Sequence, residues 1–333
     1  MIKYNNNPLV SVTVLTYNSS KYVIETLESI KAQTYENIEL IISDDCSKDN
    51  SVKVCKKWLE KNKDRFVNSH LITSGFNRGI PKNKFRAVER SEGKYIAGCG
   101  ADDYWCSNDK LQKQVDILES DSLIGLVHTE VFKLIDASGE IEKLNKDRNF
   151  TKFEELLKFN CIMAPTACFR RSLYFKYIKE VDPLNKGWIA EDTPQWLWFS
   201  MNSKIKFLDE PTIVYRVIAG SASNTNSSRK HFDFIKSRLS IKKYFIDKYN
   251  GSQKALKFIY DDFYKESEYH ALKLKEIETV RENIKNLKSK GLIIKPYLLQ
   301  FFCKYHSNDY VYKLMFFFYK IYNRLKNYLH KTK

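Results

Sequence analysis

Over the first hundred residues short apolar runs alternate with helical repeats, and three of the four apolar runs end in a polar cluster. Val10, Val12 and Val14 interleave with Ser11 and Thr13, the period-two pattern of a strand. The polar loop 16–20 follows, and then Val23, Ile24, Leu27 and Ile30 recur at helical spacing. The cycle repeats with a strand over 38–43 that ends at Asp44–Asp45, and a helix marked by Val52, Cys55, Trp58 and Leu59. A strand over 67–72, a helix over 80–91 behind Gly79, and a strand over 95–99 complete it. That last strand runs directly into Gly100, Ala101, Asp102 and Asp103.

Such alternation predicts a mostly parallel α/β sheet covered by helices. Ligands of these sheets bind at the carboxyl ends of the strands. The clusters 16–18, 44–45 and 102–103 fall at those ends, so three loops far apart in sequence are expected to share one cleft. Further on, Leu111, Val115 and Leu118 mark a helix, and 123–134 a strand with a turn over 136–140. Thr151 and Glu154 have the spacing of a capping box. A helix is expected over 191–202, strands over 204–208 and 213–216, and helices from about residue 228 onward. The polar stretch 221–228 reads as a linker, which divides the chain into a catalytic domain, 1–225, and a helical region, 226–333.

Charge follows the same division. Residues 229–333 carry 24 Lys and Arg against 10 Asp and Glu, whereas residues 1–228 carry 32 against 30. A near-neutral body should hold the chemistry, and the basic region should meet something anionic. Residues 295–333 interleave eight basic residues with twelve Tyr or Phe and one acid. Helices of that composition suit an anionic membrane surface, or pack on the body by their aromatic face, and the two are compatible. A nucleic-acid partner is not expected, because the charge lies outside the sheet domain and no helix-turn-helix, zinc-finger or ribonucleoprotein motif is present. The seven cysteines form no Cys-x-x-Cys pair, the N-terminus is polar, and no run reaches the ~20 apolar residues of a membrane span. These features predict a reduced, cytoplasmic protein.

Three acidic pairs and one arginine are the candidates for chemistry. Asp102–Asp103 at a strand end offers adjacent oxygen ligands of the kind Mg²⁺ or Mn²⁺ prefers. Asp44–Asp45 either builds a turn or accepts hydrogen bonds from a base or a ribose. Glu191–Asp192, near a helix start, either caps the helix or supplies a general base. Arg78, next to Gly79 at a helix N-terminus, either meets a phosphate or is a surface residue.

Segments 10–18 (VSVTVLTYN), 32–35 (AQTY), 42–47 (ISDDCS), 93–96 (GKYI) and 102–105 (DDYW), with Tyr215–Arg216, resemble family 2 glycosyltransferases over residues 8–225. The resemblance implies the GT-A fold, a nucleoside-diphosphate-sugar donor, a divalent metal (Mn²⁺ or Mg²⁺), and inversion at the anomeric carbon. Bacterial members commonly build capsule, lipopolysaccharide or other surface glycans, so it also implies a glycan acceptor, possibly lipid-linked, met at the inner face of the cytoplasmic membrane. By position, Thr16 and Tyr17 would line the nucleotide pocket and Asp45 would contact the base. Asp102 would face the ribose or the metal, Asp103 would ligate the metal, and Asp192 would take the acceptor proton. Two positions depart from the family pattern: Gly100 stands where its motif often opens with Asp, and Ile218 where a His often follows Tyr-Arg.

Overall fold

The computed structural model describes residues 7–144, 149–218 and 227–274. The central strand is β1 (Val10–Thr16), whose Val10, Val12 and Val14 are fully buried, and whose Ser11 and Thr13 on the opposite face are buried as well. A strand covered on both faces needs helices on both sides, and the alternating sequence supplies them. Parallel partners flank β1: β2 (Ile38–Asp44) on one side and β4 (Tyr95–Gly100) on the other, with β3 (Asn68–Ile72) outside β2. Register sets up the site, because Thr16 pairs with Asp44 and Leu15 with Gly100. The carboxyl ends of β1, β2 and β4 are therefore level with one another.

Helices α1 (Val23–Lys31), α2 (Ser51–Asn62), α3 (Ile80–Arg90) and α4 (Lys110–Ser120) cover the sheet. Their inward residues are those expected from spacing: Val23, Leu27 and Ile30, then Cys55 and Trp58, then Leu111, Val115 and Leu118. Each such side chain, taken fully out of water, contributes about 1.5–3 kcal/mol before the entropy of ordering it. Ile24 is the exception, 40% exposed on the outer face of α1.

Beyond β4 the sheet turns mixed. The short strand β8 (Cys168–Arg170) runs antiparallel between β4 and β6 (Ile124–Ile135). Next comes β9 (Lys204–Val217), parallel to β6, and then the two-residue β5 (Tyr104–Trp105), antiparallel to β9. A hairpin partner, β7 (Glu140–Leu144), pairs with β6 off this path. The strand order is β3–β2–β1–β4–β8–β6–β9–β5. The two strands expected over 204–208 and 213–216 are thus one. Pro211, which has no N–H to give, sits opposite Glu130 where the pairing slips register, and the strand continues past it. Between the strands lie α5 (Phe153–Lys158), α6 (Arg171–Val181) and α7 (Asp192–Asn202). Thr151 does not cap α5. The Glu155 carboxylate instead accepts the Lys152 N–H at 3.2 Å, one residue later than the capping-box spacing implied.

Among the described residues, those before Thr225, together with Asp247–Tyr249, form one compact unit, and the remainder form a second. The second is built on α8 (Ser228–Tyr249) and α9 (Gln253–Leu274). Asn250 ends α8 in the left-handed conformation (φ 52°), and the chain returns antiparallel. Arg238 of α8 reaches Glu266 at 2.9 Å and Asp262 at 3.5 Å, Lys242 reaches Asp262 at 3.8 Å, and the His231 and His270 rings lie 4.2 Å apart. No described helix is long and apolar enough to cross a membrane. The aromatic basic segment 295–333 lies outside the described residues, as does the expected linker apart from Ser227 and Ser228.

Candidate active site

The loops after β1 and β2 are tied to each other by short polar side chains. Asn18 and Cys46 both have left-handed backbones, with φ of 51° and 69°. Asp44 accepts from the Ser47 N–H at 3.0 Å and from the Ser47 hydroxyl. The Ser47 Oγ in turn accepts the Asn18 N–H at 2.9 Å, and Asn18 Oδ1 accepts the Lys48 N–H at 2.7 Å. Asp49 receives the N–H groups of Ser20 (3.0 Å) and Ser51 (2.9 Å), while Ser51 Oγ receives that of Ser19 (2.8 Å). Partial burial works to raise the Asp49 carboxyl, but the bonds from Ser51 and Ser20 outweigh it and hold it down at about 2. Asp44 is thereby the turn-builder of its pair. In the same cleft Thr16 is buried, its Oγ1 without a partner among the described residues, and Tyr17 is 49% exposed.

Asp45 faces the other way. Its two carboxylate oxygens accept the N–H groups of Arg78 and Gly79, each at 2.8 Å. Gly79 has φ 81° and stands just before α3, so Asp45 fixes the entry to that helix from a neighbouring strand. Arg78 is exposed. Its Nε donates to Ser74 Oγ at 2.9 Å and its guanidinium lies 4.5 Å from the Phe76 ring centre. Replacing Asp45 with Ala removes both acceptors. The expected loss is about 1–2 kcal/mol, read as a lower urea midpoint at unchanged slope. An unchanged midpoint would mean that water replaces the carboxylate at no cost.

Asp102 and Asp103 close the end of β4 in a tight turn, in which the Asp103 N–H returns to the Gly100 carbonyl at 3.1 Å. A Cβ on Gly100 would meet Asp102 Oδ1 at 2.8 Å and Asp103 Oδ2 at 3.2 Å. The two carboxylates thus converge over the bare glycine, in space that an Asp side chain at position 100 would occupy. That gives a physical reason for the departure from the family pattern. Burial, and for Asp103 the neighbouring charge of Asp102, raises both carboxyls, Asp103 well above the usual range; Arg216 works against this without cancelling it. Two converging oxygens, destabilised as anions and held apart from bulk water, fit a divalent cation that takes its other ligands from diphosphate and water. No third His, Cys, Asp or Glu joins them among the described residues.

Arg216, which in the sequence stands out only as part of Tyr215–Arg216, organises this turn. Pairing of Tyr104 with Val214 brings the end of β9 alongside. From there the Arg216 N–H donates to Asp103 Oδ1 (2.9 Å) and its Nε to the Asp102 carbonyl (3.0 Å). The rest of the guanidinium reaches Asp136 at 3.2 Å and Glu25 at 2.5 Å, with the Tyr22 ring 4.9 Å away.

Asp192 opens α7. Its Oδ1 accepts the Thr193 N–H at 2.5 Å, and its Oδ2 accepts Asn160 Nδ2 at 3.3 Å. It is therefore the first residue of α7, behind Glu191 at the cap position, and holds the next N–H on one oxygen while the other oxygen is lightly held. Glu191 precedes it, its carboxyl raised by burial and by Asp192. α3 links this pair to the end of β2: Asp45 fixes the start of the helix, and one turn on, Lys84 shares a cavity with Glu191. Asn160, on the loop after α5, had no sequence signal.

A family profile described as "Glycosyl transferase family 2" matches residues 11–178, half of the chain. The chain belongs to this family. Among curated relatives, this family 2 chain is 32% identical over 115 residues to the Escherichia coli UDP-Glc:alpha-D-GlcNAc-diphosphoundecaprenol beta-1,3-glucosyltransferase WfaP. That alignment covers 34% of the chain and 43% of WfaP; the alignment with TuaG of Bacillus subtilis, named for teichuronic acid biosynthesis, covers the same shares at 35% identity. The chain thus spans less than half the length of these two relatives. Two solved structures share its fold. Staphylococcus aureus TarS 1–349 in complex with UDP-GlcNAc superposes with a TM-score of 0.56 at 18% identity, covering 86% of this chain and 93% of that one. The Pyrobaculum calidifontis mannosyltransferase PcManGT, in complex with GDP-Man and Mn²⁺, superposes at 0.55 and 15%, covering 96% and 88%. The fold is that of GT-A glycosyltransferases.

Proposed function

We propose that this family 2 chain transfers a sugar from a nucleoside-diphosphate-sugar to a hydroxyl of a glycan acceptor in bacterial surface-polysaccharide synthesis. The observation that carries the proposal is the convergence of Asp102 and Asp103 over Gly100, level with the carboxyl ends of β1 and β2. Thr16, Tyr17 and Asp45 flank the nucleotide, and Arg78 stands at the α3 entry where a phosphate would gain from its charge. Asp102 and Asp103 would hold Mn²⁺ or Mg²⁺, which when bound offsets the charge developing on the departing diphosphate. Asp192 takes the proton of the acceptor hydroxyl as that oxygen bonds to the anomeric carbon. The bond to the diphosphate oxygen breaks on the opposite face, the nucleoside diphosphate leaves with the electron pair, and the configuration inverts. The names of WfaP and of the TarS complex support a nucleotide-sugar donor, and WfaP's also supports a lipid-linked acceptor.

Nucleotide release from a panel of sugar nucleotides in Mn²⁺, with and without glycan acceptors, tests this. One donor should be consumed, and consumption should stop in EDTA. No release from any donor would favour a second reading, a catalytically silent nucleotide- or glycan-binding module, for which Gly100 and Ile218 are the motive.

The proposal extends to place. A lipid-linked acceptor requires work at the inner face of the cytoplasmic membrane, and the net charge of +7 over residues 295–333 suits docking there. Each basic side chain near an anionic surface is worth about 1 kcal/mol, within a Debye length. Full-length protein should co-sediment with anionic vesicles, less at high salt, and a chain truncated after Lys290 should not. Equal sedimentation of the two forms removes the membrane role of this segment.

A further inference from the structure

Arg216 has more partners than the closing of one turn requires. Its side chain is 9% exposed, and it joins the turn after β4 to the turn after β6 and to α1. The backbone N–H and Nε serve the Asp102–Asp103 turn. The two terminal nitrogens point elsewhere: Nη1 donates to Asp136 Oδ1 at 3.2 Å, and Nη2 to Glu25 Oε2 at 2.5 Å. Asp136 is itself held in place. Its Oδ2 accepts from the Tyr22 hydroxyl at 2.8 Å and from the Lys21 ammonium at 3.4 Å, and its N–H donates to the Val217 carbonyl at 3.3 Å. The centres of the Tyr22 and Tyr104 rings lie 4.9 and 5.8 Å from the Arg216 Cζ.

The charges of this cluster balance without the Asp102–Asp103 pair. Lys21 and Arg216 are the cations, and Asp136 and Glu25 the anions. Among the described residues, neither Asp102 nor Asp103 pairs its carboxylate with a Lys or Arg side chain. What the Arg216 side chain gives Asp102 is a bond to its backbone carbonyl.

The arginine nevertheless starts beside the pair, because its own N–H is 2.9 Å from Asp103 Oδ1. A guanidinium matches a carboxylate in shape and charge, and an unengaged one next to two crowded carboxylates is drawn to them. There it would occupy the oxygens that a divalent cation needs. Asp136 and Glu25 offer the guanidinium two carboxylates on its far side, and the two tyrosine rings flank it in that position.

We propose that Asp136 and Glu25 are positioning residues that keep the Arg216 guanidinium off Asp102 and Asp103, so that a divalent cation, and not the chain's own arginine, meets those two carboxylates. The inference rests on the metal reading above. Tyr22 and Lys21 act in it through Asp136.

Mn²⁺ titration of the full chain, followed by the electron paramagnetic resonance signal of the free ion, tests it, with Mn²⁺ alone and with UDP or GDP added. Asp136→Ala should weaken Mn²⁺ binding at least ~10-fold, the lower end of what outer partners of a metal site contribute. Asp136→Glu, which keeps the charge, should bind more tightly than Asp136→Ala. Arg216→Gln is the deciding change. Its Nε2 stands where the arginine Nε does, so it can still donate to the Asp102 carbonyl, but it carries no charge. Added to Asp136→Ala, it should recover most of the lost Mn²⁺ affinity. A purely structural network predicts the opposite, a double variant no better than the weaker single one. Glu25→Gln, at a half-exposed side chain, is the second test position and should show the same loss and the same recovery. Cooperative melting in EDTA identifies the variants that fold. Wild-type affinity in both Asp136→Ala and Glu25→Gln, or no recovery on adding Arg216→Gln, overturns the proposal while leaving the metal reading intact. A wild-type chain that binds no Mn²⁺ under any of these conditions overturns the metal reading, and the positioning role with it.

Discussion

Asn in place of Asp192 should leave donor affinity near wild type and lower the transfer rate at least ~10²-fold, the lower end of what a positioned base contributes. Asn keeps the size of Asp, and its Oδ1 can still accept the Thr193 N–H that Asp192 receives at 2.5 Å. What it cannot do is take a proton at neutral pH. The second contact, from Asn160 Nδ2 at 3.3 Å, becomes an opposition of two amide donors, because Asn160 Oδ1 is already engaged by the Ile162 N–H at 3.2 Å. A small stability loss should therefore accompany the kinetic one. Single-turnover transfer with saturating donor, beside a donor titration, separates the two. A rate close to wild type would leave Asp192 as a structural acceptor at the start of α7 and pass the role to Glu191.

Asn in place of Asp103 should act in opposite directions on stability and on function. Asp103 is 4% exposed, and its carboxyl is raised well above the usual range by burial and by Asp102. Between the ordinary carboxyl value and that raised one, the folded chain holds more protons than the unfolded chain, so stability falls as pH rises through this window. Without metal, holding this pair as two anions is a net cost. Asn removes one charge and keeps an oxygen for the Arg216 N–H, which Asp103 Oδ1 accepts at 2.9 Å. In EDTA the variant should melt higher, by about 2–4 °C for a gain near 1 kcal/mol. The same change should abolish the gain in donor affinity that Mn²⁺ confers. Calorimetry on the metal-free forms, and donor titration with and without Mn²⁺, read both effects. A lower melting point, or metal-dependent donor binding left intact, would refute this account of the pair.

How much of this was legible in the sequence varies along the chain. Short apolar runs and helical spacing located β1 to β4 and α1 to α4, because apolar residues such as Val10, Val12, Val14, Leu27 and Ile30 are the ones the fold buries. Strand ends then placed Thr16, Asp44–Asp45 and Asp102–Asp103 in one region, as the pairing of Thr16 with Asp44 and of Leu15 with Gly100 bears out. Elements too short to show a period were invisible, above all β5 and β8, of two and three residues. The split expected within β9 does not occur, because a slipped register accommodates Pro211. Side-chain direction was beyond reach as well. Asp44 and Asp45 are adjacent and alike, yet one builds its own turn and the other holds the entry of α3. Arg216 could be noticed only as a dipeptide, since the residues it binds, Glu25, Asp102, Asp103 and Asp136, come from three other segments. Lys84 carried no signal at all, because what marks it is a buried Nζ without a hydrogen-bond partner among the described residues.

The ties between the loops after β1 and β2 bear on how fast a donor can come and go. Loops 17–20 and 44–51 are fastened by Asp44, Ser47, Asn18, Asp49 and Ser51 without help from any ligand. A nucleotide at the proposed site would have little backbone left to order, so association should approach the rate of ordinary docking and not wait for a loop to close. Differences in affinity between competing nucleotides should then lie mainly in their residence times. Cutting one tie, for instance at Asn18, would slow capture, because the first encounters would find the two loops out of step.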